Sequence, residues 1–139
     1  MYKALVPVAA LLCSSAAYAS CDGVGRTLFA CATAQGNRVE VCEAGSRILY
    51  AFGEAGAQPQ LVASVPRDQV RMSPWRAQGQ VESYSVQIPY REAVHVVHFN
   101  REAPNAEPDA GVDVLIDREY KTTIRCASGQ IANHLASTS

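Results

Sequence analysis

Two histidines in the second half of the chain are the first candidates for chemistry. His95 and His98 lie in the β-forming run Ala93-Val94-His95-Val96-Val97-His98-Phe99. Residues three apart on a strand point to opposite faces, so the two imidazoles cannot ligate one metal ion unless a β-bulge intervenes. Only His134 remains, near the C-terminus, so a nucleophile with a histidine base and an orienting acid has few residues to draw on. The sequence therefore predicts no catalytic residue, no metal site and no cofactor.

Two carboxylates form a second pair. Asp113 and Asp117 occupy one face of a predicted strand, and at about 3.3 Å per residue they lie roughly 13 Å apart. Glycosidases use carboxylate pairs that are closer together. We expect these side chains to form a solvated strand face.

Four cysteines lie beyond the apolar N-terminal segment, at positions 21, 31, 42 and 126. An even number in an exported chain predicts two disulfides, and no Cys-x-x-Cys pair points to zinc. Four cysteines allow three connectivities. A two-residue turn at Gly36-Asn37 places Cys31 opposite Cys42, although a bulge or a longer loop would change this register. The sequence therefore favours the pairs Cys31–Cys42 and Cys21–Cys126.

One long predicted loop, residues 66–79, collects arginines around the only tryptophan. Arg67, Arg71, Trp75 and Arg76 lie within ten positions of the chain. Arginine and tryptophan are the residue types that most often anchor interfaces, and loops on a rigid scaffold commonly carry binding functions. We therefore predict a partner-binding loop here; the alternative is that Trp75 fills one end of a barrel and the arginines are solvated.

Residues 1–19 have the three parts of a secretory signal peptide. Lys3 precedes an apolar run of about ten residues, and Ala17-Tyr18-Ala19 forms a cleavage site. Cleavage would remove Cys13, and the mature chain would be periplasmic or secreted. An alternative is lipid anchoring at Cys21, since Tyr18-Ala19-Ser20-Cys21 resembles a lipoprotein box. The apolar run is too short to span a bilayer, which takes about twenty residues, and no transmembrane segment is expected.

The charge balance excludes some partners. The chain has 12 basic and 13 acidic residues, with a net charge of -1. The chain lacks the surplus of basic residues that would indicate binding to nucleic acid or to an anionic membrane. We expect a protein partner in the cell envelope.

A period of two in hydrophobicity dominates the remaining sequence. Strands are predicted at residues 47–52, 60–65, 83–88, 93–99, 112–117 and 120–126, after the first hairpin. Connections this short join antiparallel neighbours. The sequence predicts an all-β domain over residues 20–126, an antiparallel meander of about eight strands that forms a barrel or a sandwich, pinned by two disulfides. Residues 127–139 are expected to form a partly disordered C-terminal tail.

The order of several motifs resembles a group of small exported bacterial β proteins without an assigned function. These motifs are the Cys-x(10)-Cys hairpin at 31–42, Tyr50-Ala51-Phe52-Gly53, Trp75, Tyr84-Ser85-Val86-Gln87-Ile88-Pro89, Gly111-Val112-Asp113-Val114 and the terminal Cys126. At the level of fold, the chain is also similar to bacterial periplasmic lysozyme inhibitors, which insert a loop containing a Ser-Gly pair into their target. The Ser-Gly pair of this chain is Ser128-Gly129, after the last cysteine, and no inhibitory residue is carried over from the resemblance.

Three functions are therefore considered. The first is an exported binding protein, an inhibitor or immunity-type factor that acts on an envelope enzyme. The second is an envelope hydrolase that uses His95 or His98 with a carboxylate. The third is a structural envelope protein without a catalytic role.

Overall fold

The computed structural model describes Cys21, residues 25–75 and residues 82–135. Within these residues, nine strands form one sheet, and the single helical element is a 3-10 turn at Arg67–Gln69. The strands are β1 Arg26–Thr33, β2 Asn37–Ala44, β3 Arg47–Glu54, β4 Leu61–Pro66, β5 Arg71–Trp75, β6 Glu82–Tyr90, β7 Ala93–Arg101, β8 Asp109–Ile116 and β9 Glu119–Asn133.

The sheet is an antiparallel meander that curls on itself. Its order is β4-β3-β2-β1-β9-β8-β7-β6-β5, so the first strand pairs with the last, and β4 and β5 are the two edges. β4 also approaches β6. Tyr50 of β3 forms a hydrogen bond with His95 of β7, although four strands separate them in the sheet order. The curled sheet therefore encloses one core rather than covering a flat layer.

Alternating residues from every strand fill this core, because successive side chains on a strand point to opposite faces. The largest fully buried side chains include Tyr50, Phe29 and Ile48. Phe52, Met72 and Ile124 are half-buried against the same cluster. The period of two in the sequence therefore corresponds to the alternation between side chains that face this core and side chains that face away from it.

The predicted all-β antiparallel meander is confirmed, with two differences in extent. β5 lies inside the segment that was predicted to be a long loop. β9 continues to Asn133, and Leu135 is buried with 3% exposure, so the expected tail from 127 onward is wrong for these residues. Their apolar members pair with or pack against β1, a neighbour that the local sequence does not reveal.

The first hairpin has a different register from the predicted one. Its loop has three residues, because the N–H of Gly36 donates to the carbonyl of Thr33 at 3.1 Å and Gly36 has a φ of +82°. A turn followed by one left-handed residue is a common three-residue loop, and glycine adopts that conformation without strain. Val39 therefore lies opposite Cys31. Cys42, three residues further along β2, points to the other face.

The disulfides are Cys21–Cys42 and Cys31–Cys126. Both predicted pairs, Cys31–Cys42 and Cys21–Cys126, are therefore wrong, and the cause is the register of the first hairpin. Cys31 and Cys126 join the neighbouring strands β1 and β9, with their Cα atoms 5.7 Å apart. The sulfur of Cys21 is bonded to Cys42, so it is not available for the thioether of a lipid anchor.

Candidate binding surface

The antiparallel pairings fix which strands start at the same end of the sheet. β9 is antiparallel to both β1 and β8, so β5, β7 and β9 start at one end together with β2 and β4, whereas β1, β3, β6 and β8 start at the other. β5, β7 and β9 alternate with β6 and β8 in the sheet, so the starts of these three strands lie at the same end of it although they are far apart in the sequence. Neighbouring strands are about 4.8 Å apart, which brings the side chains of these turns within reach of one partner.

Each of β5, β7 and β9 has an arginine at its beginning or in the turn just before it. These residues are Arg71 for β5, Arg91 for β7 and Arg118 for β9. We call the surface formed by these three arginines the arginine end. All three residues are exposed. Arg26 and Arg47 begin β1 and β3 at the other end of the sheet.

Glu43 binds two guanidinium groups at the end of the sheet where β1 and β3 start. Its Oε1 accepts a hydrogen bond from Nη2 of Arg26 at 3.1 Å, and its Oε2 accepts one from Nη1 of Arg67. The side chains of Arg26 and Arg67 remain 53% and 42% exposed, respectively. Exposed ion pairs contribute little to stability. Their main effect here is to orient two arginines toward solvent.

Arg47 is also held in place, through contacts with the neighbouring strand β4. Its Nε donates to Oγ of Ser64 at 2.6 Å, and its Nη2 donates to the carbonyl oxygen of the same residue at 2.8 Å. Neither acceptor carries a charge, so the positive charge of the guanidinium is not cancelled.

Arg91 and Arg118 lie in two tight hairpin turns with left-handed backbone. Their φ angles are +55° and +65°, and that of Asp117 is +54°. Left-handed conformations cost non-glycine residues free energy, and such residues concentrate at functional sites. Arg91 lies over the ring of Tyr90, 5.3 Å from its centroid. The short turns hold both arginines at fixed positions beyond the strands.

The residues of the predicted binding loop do not form one cluster. Arg71 lies at the arginine end, whereas Arg67 contacts Glu43. Trp75 is the last residue of β5, four residues and roughly 13 Å from Arg71 along the strand. Arg76 lies outside the described residues. Arg91 and Arg118, in the turns before β7 and β9, are arginines that the sequence interpretation missed, and the signal was an arginine at the start of every second strand from β5 to β9.

His95 belongs to the interior of the curled sheet. Its Nδ1 is 3.1 Å from Oη of Tyr50, and the ring of Tyr90 meets it edge-on at 6.1 Å. Burial lowers the pKa of His95 and raises the pKa of Tyr50, so both groups stay neutral near pH 7. The side chain keeps only slight contact with solvent, since His95 is 9% exposed.

His98 projects from the opposite face of β7, as the strand period predicts. Its Nε2 is 3.9 Å from Oδ1 of Asp113, which is too long for a hydrogen bond. The same Asp113 oxygen accepts a hydrogen bond from Oγ1 of Thr123 at 2.6 Å. Asp117, the other predicted strand-face carboxylate, lies in the turn after β8.

Comparison of the chain with protein-family models, curated proteins and solved structures finds no match. Within the part of the chain that the structure describes, no helix has the length and apolar character required of a membrane span. The two disulfides are characteristic of an oxidising, exported compartment.

Proposed function

We propose that the protein is an exported binding protein of the inhibitor or immunity type. It acts in the periplasm or after secretion and contacts an acidic protein surface of an envelope enzyme through the arginine end. The observation that carries this proposal is an exposed arginine at or just before the start of each of β5, β7 and β9, which begin at the same end of the sheet.

The chemistry of arginine supports a carboxylate-rich partner. The guanidinium group presents several donors in a planar fork that matches a carboxylate in two hydrogen bonds. Acidic residues between the arginines, such as Glu92 and Asp117, disfavour a uniform polyanion and suit a protein surface of mixed charge. Attraction between the arginine end and an acidic patch would also accelerate association, most strongly at low salt.

The scaffold supports binding rather than movement. Two disulfides and a continuous meander hold the turns in fixed positions, so little conformational entropy is lost when a partner binds. The arginines that remain most available are those outside the Glu43 cluster. Among the described residues, Arg71 and Arg118 have no ion pair or hydrogen bond through their guanidinium groups.

The test is retention of a partner from envelope extract by immobilised protein. The variant Arg71→Ala/Arg91→Ala/Arg118→Ala should lose the partner, and retention by the native protein should fall steeply as salt rises. The matched control is Arg125→Ala, which removes a 69% exposed side chain at the opposite end and should leave retention unchanged. Trp75→Ala tests the contribution of the predicted loop separately. Equal retention by the triple variant and the control would reject the arginine end as the binding surface.

A further inference from the structure

A second cluster of chemically active groups lies on the face of β2 that points away from the core. The sulfur atoms of Cys21 and Cys42 and a carboxylate oxygen of Glu40 lie within 4.8 Å of one another, and all three residues are buried. Glu40 and Cys42 are two residues apart on β2, so their side chains project side by side from one face. Cys21 reaches them from the segment before β1.

Glu40 is an unusual residue for such a place. It is 2% exposed, and a buried carboxylate is costly unless other groups compensate its charge. Alanines lie opposite it on both neighbouring strands, Ala30 on β1 and Ala51 on β3, and their small side chains leave room for the carboxylate. Nε of Arg38 lies 3.6 Å from Oε2 and supplies one positive charge. The local structure thus accommodates a charged oxygen ligand directly beside a disulfide.

We propose that reduction of the Cys21–Cys42 disulfide converts this cluster into a binding site for a thiophilic divalent cation such as Zn²⁺. The ligands are the thiolates of Cys21 and Cys42 and the carboxylate of Glu40. In the redox step, a dithiol reductant transfers two electrons and two protons to the disulfide and becomes a disulfide itself. When the metal binds, the two cysteine thiols release their protons to solvent.

The geometry and the charge fit this assignment. Zinc binds sulfur at about 2.3 Å and carboxylate oxygen at about 2.0 to 2.2 Å in tetrahedral sites, so its ligand atoms are separated by roughly 3.3 to 3.8 Å. The present spacing, within 4.8 Å, needs only small side-chain rotations once the sulfur–sulfur bond is broken. Two thiolates and one carboxylate carry three negative charges, which the cation together with Arg38 balances. The fourth position of the metal is left for water.

The other disulfide provides an internal comparison. Cys31 and Cys126 pack among the apolar side chains of the core. In the described portion of the chain, only the cluster of Cys21, Glu40 and Cys42 brings three such ligand atoms together. A general affinity of reduced cysteines for metals would therefore appear at both pairs, whereas the proposed site exists at one.

The test uses Co²⁺ as a spectroscopic probe, with a phosphine rather than a thiol as the reductant. The variant Cys31→Ser/Cys126→Ser keeps the proposed site, and Cys21→Ser/Cys42→Ser removes it; circular dichroism establishes whether each is folded. The reduced first variant should bind one Co²⁺ per chain with thiolate charge-transfer absorption, which Zn²⁺ displaces. Its oxidised form should bind none, and Glu40→Gln should weaken binding at least tenfold. Equal binding by both cysteine variants, or no effect of Glu40→Gln, would refute the proposal.

Alkylation of the reduced native chain gives a result that does not depend on variant folding. Zn²⁺ should protect Cys21 and Cys42 from iodoacetamide and leave Cys31 and Cys126 as reactive as in the metal-free sample, measured on separate tryptic peptides. Equal protection of all four cysteines, or of none, contradicts the site. Failure here leaves the proposed function intact, because the arginine end contains none of these residues.

Discussion

Oη of Tyr50 and Nδ1 of His95 form a hydrogen bond of 3.1 Å across the interior of the curled sheet. One group lies on β3 and the other on β7, so this contact joins two strands that do not pair with each other. It is a polar contact within an apolar core, and it satisfies two groups that would otherwise be buried without partners.

Removal of this hydroxyl should destabilise the protein measurably. Tyr50→Phe leaves the imidazole nitrogen buried without its partner, and we expect a loss of about 1 to 3 kcal/mol in the free energy of unfolding. Urea denaturation gives the value. Tyr84→Phe is the matched control, since Tyr84 is only half-buried, and it should cost less than about 0.5 kcal/mol. Equal losses for the two variants would show that the bond does not stabilise the fold.

The stability should also depend on pH through His95. Burial holds its pKa below the ordinary value of 6.5, so the unfolded chain takes up a proton more readily than the folded one. The contribution to stability is therefore complete above pH 6.5 and is lost as the pH falls from there toward the folded-state pKa, by up to about 1.4 kcal/mol per pH unit. Denaturation between pH 7.5 and 5 measures this slope. His95→Gln should flatten it, and an unchanged slope in this variant would contradict the role of His95.

The two disulfides should contribute unequally. In the chain-entropy model, the Cys31–Cys126 bridge, with a sequence separation of 95, contributes about 4.7 kcal/mol, and the Cys21–Cys42 bridge, with a separation of 21, contributes about 3.3 kcal/mol. The paired serine variants should therefore differ by about 1 kcal/mol in the free energy of unfolding, with Cys31→Ser/Cys126→Ser the less stable. The reverse order would contradict the assignment of stabilities.

Peptide mapping can establish the pairing itself. Arginines separate all four cysteines, so trypsin places each on a different peptide. Without reduction, peptide 27–38 should remain joined to 126–139, and peptide 39–47 to the peptide that ends at Arg26. A link between 27–38 and 39–47 would restore the pairing that the two-residue turn predicts.

Substitution of Arg118, in one turn of the arginine end, should raise stability and weaken binding. Asp117 and Arg118 both have positive φ, which defines a type I′ turn, and such turns favour an Asp-Gly pair. Arg118→Gly should relieve left-handed strain and raise the free energy of unfolding by about 0.5 to 1 kcal/mol. It should also weaken partner retention. Gly36→Ala, at a φ of +82° with open space around the added carbon, should change stability in the opposite direction.

Much of the fold could be predicted because the period of two is strong. Residues such as Ile48, Tyr50 and Phe52 alternate so regularly that the strand and its buried face follow directly. Strand β5 was harder to predict from the sequence, because it has only five residues and contains Pro74. Proline within a strand is compatible only with a position at a sheet edge or a bulge, and β5 is an edge strand. Pairing between β1 and the end of β9 depends on contacts across the whole chain, which local patterns do not encode.

The binding surface and the disulfides depended on details that the sequence left open. A single extra loop residue at Gly36 changed which faces of β1 and β2 carry cysteines, and with it the pairing of all four. The arginines at 71, 91 and 118 are far apart in the sequence and come together only when strand direction is known. The sequence interpretation instead predicted binding at the β4–β5 connection, because several arginines lie close together in that segment.

The pairing of β1 with β9 sets an order for folding during export. A chain that emerges N-terminus first exposes the edge of β1 long before its neighbour β9 is available. The early meander of β1 to β4 can form by local pairing, but its β1 edge stays open to other strands until the last quarter of the chain arrives. The Cys31–Cys126 bridge can form only after β9 has paired with β1, so its formation indicates that all nine strands have emerged.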